Sequence, residues 1–224
     1  MCNIPLLNNN GYLPVNETFY AFQGEGSYIG TAAYFIRLFG CPVKCSWCDS
    51  PDSWSSSPDN KSYVNTDVNL LADNACKSGA KIVVITGGEP AIYNLTNLTL
   101  ALKAKGLRVH IETCGAFSVQ GHFDWITVSP KWLMLPLPVN LQKANELKLI
   151  VENETSIEKW WEFLASVFTT HQLPDIWLQP EYNALEKKRD LLNIITQAVK
   201  DYPARYKAGI QLHKIYCCDE LDKS

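Results

Sequence analysis

Residues 81–90, KIVVITGGEP, join a run of apolar, β-branched residues to a short polar turn. A continuous apolar run such as IVVI is typical of a parallel strand that is covered on both faces. The two glycines that follow allow backbone groups to come close to a neighbouring element or ligand. Glu89 then offers a carboxylate. The stretch therefore predicts a buried strand that carries polar groups at its carboxyl end.

Similar runs along the chain predict six further strands, and helical stretches separate several of them. The strands are predicted at 33–39, 107–112, 125–129, 146–151, 176–179 and 209–216, and the helices at 65–78, 95–105, 156–169 and 184–200. Gly79 and Gly106 follow two of the helices at the position of a C-terminal cap. Alternating strands and helices imply a parallel sheet with right-handed crossovers.

The connections in the second half of this pattern are short. Residues 114–125 leave little room for a crossover helix. Pro130, Pro136 and Pro138 interrupt the next connection. We therefore predict an α/β fold that forms a partial, open (β/α) barrel with truncated helices in its second half.

Composition and charge are those of one globular domain spanning residues 1–224. Of the residues, 46% are hydrophobic and 19% are charged, and the formal net charge is −3. A nucleic-acid-binding protein usually shows a basic stripe, and none is visible, so we expect no nucleic-acid partner. No run approaches the roughly 20 apolar residues that cross a bilayer, and the first residues do not resemble a secretory signal. We expect a cytoplasmic protein with no membrane partner.

Three of the eight cysteines lie in one loop, 40–50, which reads GCPVKCSWCDS. In a long chain without a secretory signal, such crowding indicates metal or redox chemistry. Cys41, Cys45 and Cys48 could hold three irons of a [4Fe-4S] cluster and leave the fourth iron open to a small chelating molecule. A zinc ion completed by a histidine or a distant cysteine is the alternative.

Polar motifs follow five of the predicted strands. The cysteine loop follows 33–39, and TGGEP (86–90), ETCG (112–115), SPK (129–131) and QPE (179–181) follow four others. In barrels of this kind the carboxyl ends of the strands carry the active site. The five motifs are therefore expected to share one rim.

The spacing C-x3-C-x2-C, with Trp47 before the last cysteine, resembles the cluster loop of the radical S-adenosylmethionine (SAM) enzymes. GGE in TGGEP is similar to the motif that binds the cofactor's amino group in that superfamily. The stretch FYAFQGEGSYIGTAAYFIRLFGCPVKCSWCDS (19–50) closely resembles the 7-carboxy-7-deazaguanine synthases. TGGEP, ETCG, SPK, QPE and QLHK (211–214) follow in that family's order, so the resemblance covers about 15–214.

The resemblance implies a radical SAM lyase of 7-deazapurine and queuosine biosynthesis. Such an enzyme converts 6-carboxy-5,6,7,8-tetrahydropterin to 7-carboxy-7-deazaguanine and ammonia by radical ring contraction, with a [4Fe-4S] cluster, SAM and Mg²⁺. It also implies an external electron donor, a flavodoxin or ferredoxin, and a homodimer. Because the cofactor generates the radical, no protein residue is expected to be catalytic in its own right.

The resemblance also implies a role for individual residues. The cluster ligands would be Cys41, Cys45 and Cys48, and the Mg²⁺ ligand Ser50. The cofactor would contact Trp47, Cys48, Asp49, Gly88, Glu89, Ser129, Pro130, Lys131 and Gln179. The substrate would contact Phe22, Gln23, Gly24, Glu25, Arg37, Thr86 and His213. The substrate loop would span 15–30, the cluster loop 40–50 and a C-terminal strand 209–217.

The chemistry of these residues agrees with such roles, although other readings stay open. Arg37 lies among apolar residues, so it needs a partner, and its guanidinium suits a carboxylate. Ser50 could instead be a turn residue, and His213 a satisfied histidine near a sheet edge. The tail after Lys214 departs from the family pattern, as does Cys114 in ETCG.

Two other functions use a loop of this kind. Glycyl-radical-enzyme activases share the C-x3-C-x2-C spacing, although their segment before the cysteines typically reads Asp-Gly-Pro-Gly where this chain has QGEG (23–26). A non-enzymatic zinc-binding module is the second alternative.

Overall fold

The computed structural model describes residues 11–54, 63–168, 173–182 and 190–216. They form a nine-stranded sheet in the order β3-β1-β2-β4-β5-β6-β7-β8-β9. The strands are β1 Tyr12–Phe22, β2 Ala32–Leu38, β3 Val64–Asp67, β4 Ile82–Gly87, β5 Arg108–Thr113, β6 Trp125–Val128, β7 Glu146–Val151, β8 Asp175–Pro180 and β9 Tyr206–Ala208. The described helices are α1 Val68–Lys77, α2 Thr96–Ala104, α3 Pro138–Lys143, α4 Ser156–Val167, α5 Asp190–Asp201 and α6 Leu212–Tyr216.

Seven strands, β2 and β4 to β9, run parallel, and the sheet is open. This confirms the predicted partial barrel and six of the seven predicted strands. The seventh was wrong. The last parallel strand is β9, whereas 212–216 is a helix, because the chain leaves the sheet after Gly209 and Leu212 N–H bonds to the carbonyl of Gly24 (2.9 Å). Residue 217 lies outside the described residues.

An N-terminal hairpin extends the sheet beyond the prediction. Strand β1 lies between β2 and β3 and is antiparallel to both. The expected substrate loop 15–30 is therefore a strand as far as Phe22, and only the turn after it, with a 3₁₀ segment at Gly26–Tyr28, is a loop. The helix expected from residue 65 begins at Val68, because the Asp67 side chain accepts hydrogen bonds from the backbone of Asn69 and Leu70 as an N-cap.

The crossovers on both sides of β6 are short, as predicted. The connection between β5 and β6 contains no helix, and the next holds only the six-residue α3. Pro138 does not interrupt that connection; it occupies the first turn of α3, where its missing N–H costs nothing. Of the predicted helix 184–200, residues 184–189 lie outside the described residues.

The core consists of apolar clusters that follow the sheet. One joins β1, β2, β4 and β5 with α1 and α2, and another joins β6 to β9 with α4 and α5. This packing fixes the parallel strands side by side, so their carboxyl ends form one rim. Among the described helices, none is long and apolar enough to cross a membrane.

Candidate active site

A cavity of about 480 Å³ opens at the carboxyl ends of the parallel strands. It is lined by residues from all five motifs, from the turn after β1 and from α6. Every site residue predicted from the sequence lines it, with the exception of Pro130, which is buried beside it. The predicted convergence of the motifs on one rim is present.

The cysteine loop forms one wall of the cavity. Cys41, Cys45 and Cys48 are free thiols of intermediate exposure. The loop turns through Lys44, which has a left-handed backbone (φ 51°), and through a hydrogen bond from Cys48 N–H to the carbonyl of Cys45 (3.2 Å). Burial raises the pKa of both Cys41 and Cys45, which favours thiols until a cation is bound.

The donor set suits an iron–sulfur cluster better than a single ion. Within the described ranges, no three His, Cys, Asp or Glu side chains are placed to hold one metal ion. A cubane cluster does not need them to be, because each thiolate binds a different iron. Three free thiols of one loop that face a common cavity therefore fit the cluster.

Trp54 was not predicted as a site residue. Its indole Nε1 donates to Sγ of Cys48 (3.3 Å) from just after the 3₁₀ segment Pro51–Ser53. Hydrogen bonds to cluster sulfurs tune the reduction potential, so this contact would influence a cluster bound through Cys48. A tryptophan six residues after the last cysteine carries no spacing signal of its own, which is why the sequence did not reveal it.

The TGGEP turn packs tightly against the start of the cysteine loop. Gly88 N–H donates to the carbonyl of Leu38 (2.9 Å), and Glu89 N–H donates to that of Gly40 (2.8 Å). A Cβ on Gly88 would lie 2.4 Å from the Gly40 carbonyl oxygen, so only glycine allows this approach. Backbone hydrogen bonds thus connect the TGGEP turn to the cysteine loop.

Glu89 is buried and already accepts three hydrogen bonds. They come from Ala91 N–H (2.9 Å), the Thr113 hydroxyl (2.5 Å) and Cys114 N–H (2.7 Å). A carboxylate has about four acceptor sites, so some capacity is left for a ligand donor. Burial, followed by the charge of Glu89, raises the pKa of the Cys114 thiol well above its usual range. Cys114 thus contacts Glu89 through its backbone N–H and also through a side-chain hydrogen bond, which adds to the raised pKa of the thiol.

The turn after β1 forms the opposite wall. Gln23 Nε2 donates to Glu112 (2.8 Å), and the Gln23 side-chain oxygen accepts from Glu25 N–H (3.1 Å). Gln179 Nε2 donates to one oxygen of Glu25 (2.8 Å), and Lys148 forms an ion pair with the other. Two predicted residues of the turn are thereby linked to Gln179 of the QPE motif.

Lys148 and Glu112 are functional candidates that the sequence reasoning missed. Lys148 Nζ also lies 3.7 Å from Glu112, and only 14% of the Lys148 side chain is exposed. The signal was present, since a lysine inside the apolar strand ELKLIV needs a partner for the same reason as Arg37. Burial lowers the pKa of Lys148, but Glu25 and Glu112 outweigh it and raise that pKa overall. Burial likewise raises the pKa of Glu25, and Lys148 outweighs it, so the Glu25 pKa is lowered.

Arg37 has its partner across the N-terminal hairpin. Arg37 Nε donates to Glu17 (2.8 Å), and Nη1 donates to the Ser50 hydroxyl (3.1 Å). That hydroxyl donates in turn to Asp49 (3.3 Å), which also accepts from Gln211 (3.0 Å). Desolvation would raise the pKa of Asp49, but nearby cations, Lys148 and Arg37 first, lower it.

Two further predicted residues close the cavity. His213, on α6, lies against the turn after β1, where a Cβ on Gly24 would be 2.3 Å from its Nδ1. Lys131 Nζ donates to the Ser129 carbonyl (2.7 Å) and hydroxyl (2.6 Å) and lies 5.2 Å above the Trp47 ring. Burial, followed by the charge of Lys148, lowers the pKa of Lys131.

Comparison with known proteins matches this architecture. Residues 35–166 match the Radical SAM superfamily model. Proteins described as 7-carboxy-7-deazaguanine synthase are 40% identical over 202 residues in Flavobacterium psychrophilum and 43% identical over 201 residues in Synechocystis. These alignments cover 90% of this chain and 90% and 91% of the relatives. The chain belongs to the 7-carboxy-7-deazaguanine synthase family of the radical SAM superfamily.

A solved structure of a family member supports the same assignment. The crystal structure of QueE from Escherichia coli is 33% identical, with a TM-score of 0.79, and the match covers 90% of this chain and 95% of that one. Membership of the radical SAM superfamily implies a [4Fe-4S] cluster and SAM. Membership of the synthase family decides against the activase and the zinc-binding module, which the sequence alone had left open.

Proposed function

We propose that the chain is a radical SAM lyase that converts 6-carboxy-5,6,7,8-tetrahydropterin to 7-carboxy-7-deazaguanine and ammonia in queuosine biosynthesis. The observation that carries the proposal is the shared cavity. In it the cysteine loop (40–50) and the TGGEP turn face the turn that contains Gln23 and Glu25. Relatives named 7-carboxy-7-deazaguanine synthase align over 90% of the chain.

One side of the cavity suits the cofactor. Cys41, Cys45 and Cys48 would hold the cluster, and Glu89 would accept from the cofactor's ammonium. When bound, cluster and SAM supply a 5′-deoxyadenosyl radical that removes hydrogen from the substrate. The further cofactor contacts would come from Trp47, Asp49, Gly88, Ser129, Pro130, Lys131 and Gln179; the buried position of Pro130 beside the cavity gives it the weakest support.

The other side suits the pterin. A pterin ring presents adjacent N–H donors and acceptors along one edge, which an ionised Glu25 and an amide such as Gln23 can pair. Arg37 uses two of its five N–H donors on Glu17 and Ser50, so donors remain for the substrate carboxylate. Phe22, Gly24, Thr86 and His213 would complete the contact surface and exclude water.

Mg²⁺ belongs to this proposal through Ser50. Its hydroxyl lies beside the Asp49 carboxylate, and Mg²⁺ commonly takes one or two protein oxygens together with waters and substrate oxygens. No complete metal site is preformed among the described residues, which favours a metal that binds together with the substrate. The hydrogen bond from Arg37 to Ser50 would have to rearrange when the metal binds.

Three features of the cellular context are also proposed. The cluster requires an external one-electron donor, such as a flavodoxin or ferredoxin. A homodimer is proposed from the family resemblance. A cytoplasmic location is proposed because the five described cysteines are all free thiols, as a reducing compartment would keep them.

Anaerobically reconstituted protein tests the function directly. With SAM, Mg²⁺ and a reductant, it is expected to convert 6-carboxytetrahydropterin to a product with the mass and ultraviolet spectrum of 7-carboxy-7-deazaguanine. Cys45→Ala removes a cluster ligand and should abolish deoxyadenosine formation. Cys76→Ala is the matched control, because Cys76 is exposed on α1, outside the cavity. Competent cofactor cleavage without any product from the pterin would contradict the proposal.

A further inference from the structure

Lys148 occupies an unusual place for a cation. It lies in β7, and three other residues of that strand, Leu147, Leu149 and Val151, are buried in the core. Lys148 faces the other side of the sheet and lines the cavity. Removing a lysine from water into such a site is unfavourable unless carboxylates compensate for the lost hydration. A lysine at this position of the strand therefore indicates that its charge has a specific role.

Its partners are two carboxylates from different elements. Lys148 pairs with one oxygen of Glu25, in the turn after β1, and lies 3.7 Å from Glu112, on β5. The other oxygen of Glu25 accepts from Gln179 on β8 (2.8 Å). Glu25 is thereby held from two sides, and its orientation is fixed by the sheet rather than by the turn that carries it.

The Lys148 ammonium also offsets part of the negative charge of the cavity. Five carboxylates line the cavity, those of Glu25, Asp49, Glu89, Glu112 and Glu181. Four basic side chains also line it, those of Arg37, Lys131, Lys148 and Lys214, and Arg37 pairs with Glu17, which lies outside the lining. A substrate that carries its own carboxylate would meet strong repulsion here if the Glu25–Glu112 pair were not neutralised.

We propose that Lys148 is a positioning residue for the substrate: it fixes Glu25 in the orientation that receives the pterin ring and offsets the acidic charge beside the substrate carboxylate. This inference rests on the proposed function. A carboxylate has about four acceptor sites, and the described contacts of Glu25 use two, so two remain for adjacent ring N–H donors. Lys148 thus acts through Glu25 and takes no part in the bond-breaking steps.

Steady-state kinetics of three variants test this role. Lys148→Met removes the charge and keeps most of the volume, and it should raise the KM for the pterin roughly a hundredfold, because a buried carboxylate loses its partner. The change in pterin KM should exceed any change in the SAM concentration that half-saturates deoxyadenosine formation without substrate, because the ion pairs of Lys148 are with Glu25 and Glu112 and not with the cysteine loop. Lys148→Arg keeps the charge and should recover much of the loss. Lys105→Met is the control, since Lys105 forms an exposed ion pair with Asp73 outside the cavity.

A double-mutant cycle with Glu25→Gln separates positioning from a merely structural effect. If Lys148 acts through Glu25, then Lys148→Met combined with Glu25→Gln should have about the same KM as Glu25→Gln alone. In the double variant only Glu112 lacks the ammonium, and its side chain is 21% exposed, so this variant should fold even where Lys148→Met does not.

Two results would overturn the inference: an unchanged KM in Lys148→Met, or fully multiplicative effects in the cycle. A wild-type protein that cleaves SAM but leaves the pterin unchanged would instead contradict the proposed function itself, so the two failures are distinguishable.

Discussion

Ser50 stands between a cation and an anion in a part of the cavity that carries no preformed metal site. Its hydroxyl accepts from Arg37 and donates to Asp49. Under the proposed function, this hydroxyl would contribute an oxygen ligand to Mg²⁺ in place of its hydrogen bond with the Arg37 guanidinium. The two readings left open by the sequence, turn residue and Mg²⁺ ligand, therefore make different predictions.

Ser50→Ala should lower magnesium-dependent product formation at least tenfold, because the variant lacks the proposed ligand oxygen. SAM cleavage without the pterin should persist, since no cluster ligand is changed. Product formation measured across a magnesium titration gives the result, and Ser50→Thr, which keeps the hydroxyl, is the control. A wild-type magnesium dependence in Ser50→Ala would show that the hydroxyl serves only the turn.

At the level of single residues, the sequence predicts a site residue when that residue belongs to a motif with a characteristic spacing. Cys41, Cys45, Cys48 and Glu89 stand in recognisable motifs, and all four line the cavity. Trp54 could not be found in this way, because its contact with Cys48 depends on how the chain turns after the cluster loop.

At the scale of elements, a joint of two backbone hydrogen bonds between the ends of β2 and β4 holds the TGGEP turn (86–90) against the start of the cysteine loop (40–50). The carbonyls of Leu38 and Gly40 accept from the backbone of Gly88 and Glu89. No side chain takes part in these hydrogen bonds, so the joint depends on how closely the two backbones approach.

Gly88→Ala should open this joint. Its Cβ would meet the Gly40 carbonyl oxygen at 2.4 Å and the Cys41 Cβ at 2.9 Å, and relief of such overpacking costs about 1–3 kcal/mol in stability. We expect reduced iron and sulfide content after reconstitution and a lower midpoint of thermal unfolding. Gly106→Ala is the control for iron loading: its left-handed backbone (φ 75°) makes a side chain strained and should lower the unfolding midpoint too, but its Cβ would meet nothing within 4 Å, so iron content should not change. Equal iron loading in wild type and Gly88→Ala would contradict this account of the joint.

Two strands that the sequence did not predict, β1 and β9, lack a clear signal for different reasons. Strand β1 contains Pro14 and a register irregularity between Val15 and Glu17, and both break the alternation that marks a strand. Strand β9 has only three residues, so the apolar run that followed it was mistaken for the strand. The six-residue buried strands β4 and β7 could be predicted, because their own apolar composition favours a buried strand.

At the scale of the whole molecule, the two faces of the sheet pack against different parts of the structure. One face packs against helices, and the other closes around a smaller interior that holds Phe35, Val84 and, at the end away from the cluster loop, His110. His110 is 3% exposed and lies between Tyr28 and Trp125 (ring centroids 4.5 and 6.3 Å away). Its Nε2 has no hydrogen-bond partner among the described residues.

Burial, followed by the charge of Arg108, lowers the pKa of His110 to about 4 from the usual 6.5, and Asp124 opposes this shift. Between pH 4 and 6.5 the unfolded chain binds a proton at this histidine that the folded protein does not bind. The free energy of unfolding should therefore fall as the pH decreases through this window, by up to about 3 kcal/mol from this group. Glu25 and Asp49, whose pKa values are lowered from 4.5 and 3.8, add to the loss as the pH falls through and below those values.

Denaturant unfolding at pH 4.5, 5.5 and 6.5, values chosen to span roughly that window, provides the measurement. His110→Phe should flatten the dependence of the unfolding free energy on pH, whatever its effect at any single pH, because a packing change that is common to all conditions leaves the slope unaltered. His122→Gln is the matched control, since His122 is an exposed histidine of the same sheet end. If His110→Phe keeps the wild-type slope, the acid sensitivity of the fold must arise elsewhere, and the first place to look would be the carboxylates of the cavity, whose pairing with Lys148 and Arg37 is also lost on protonation.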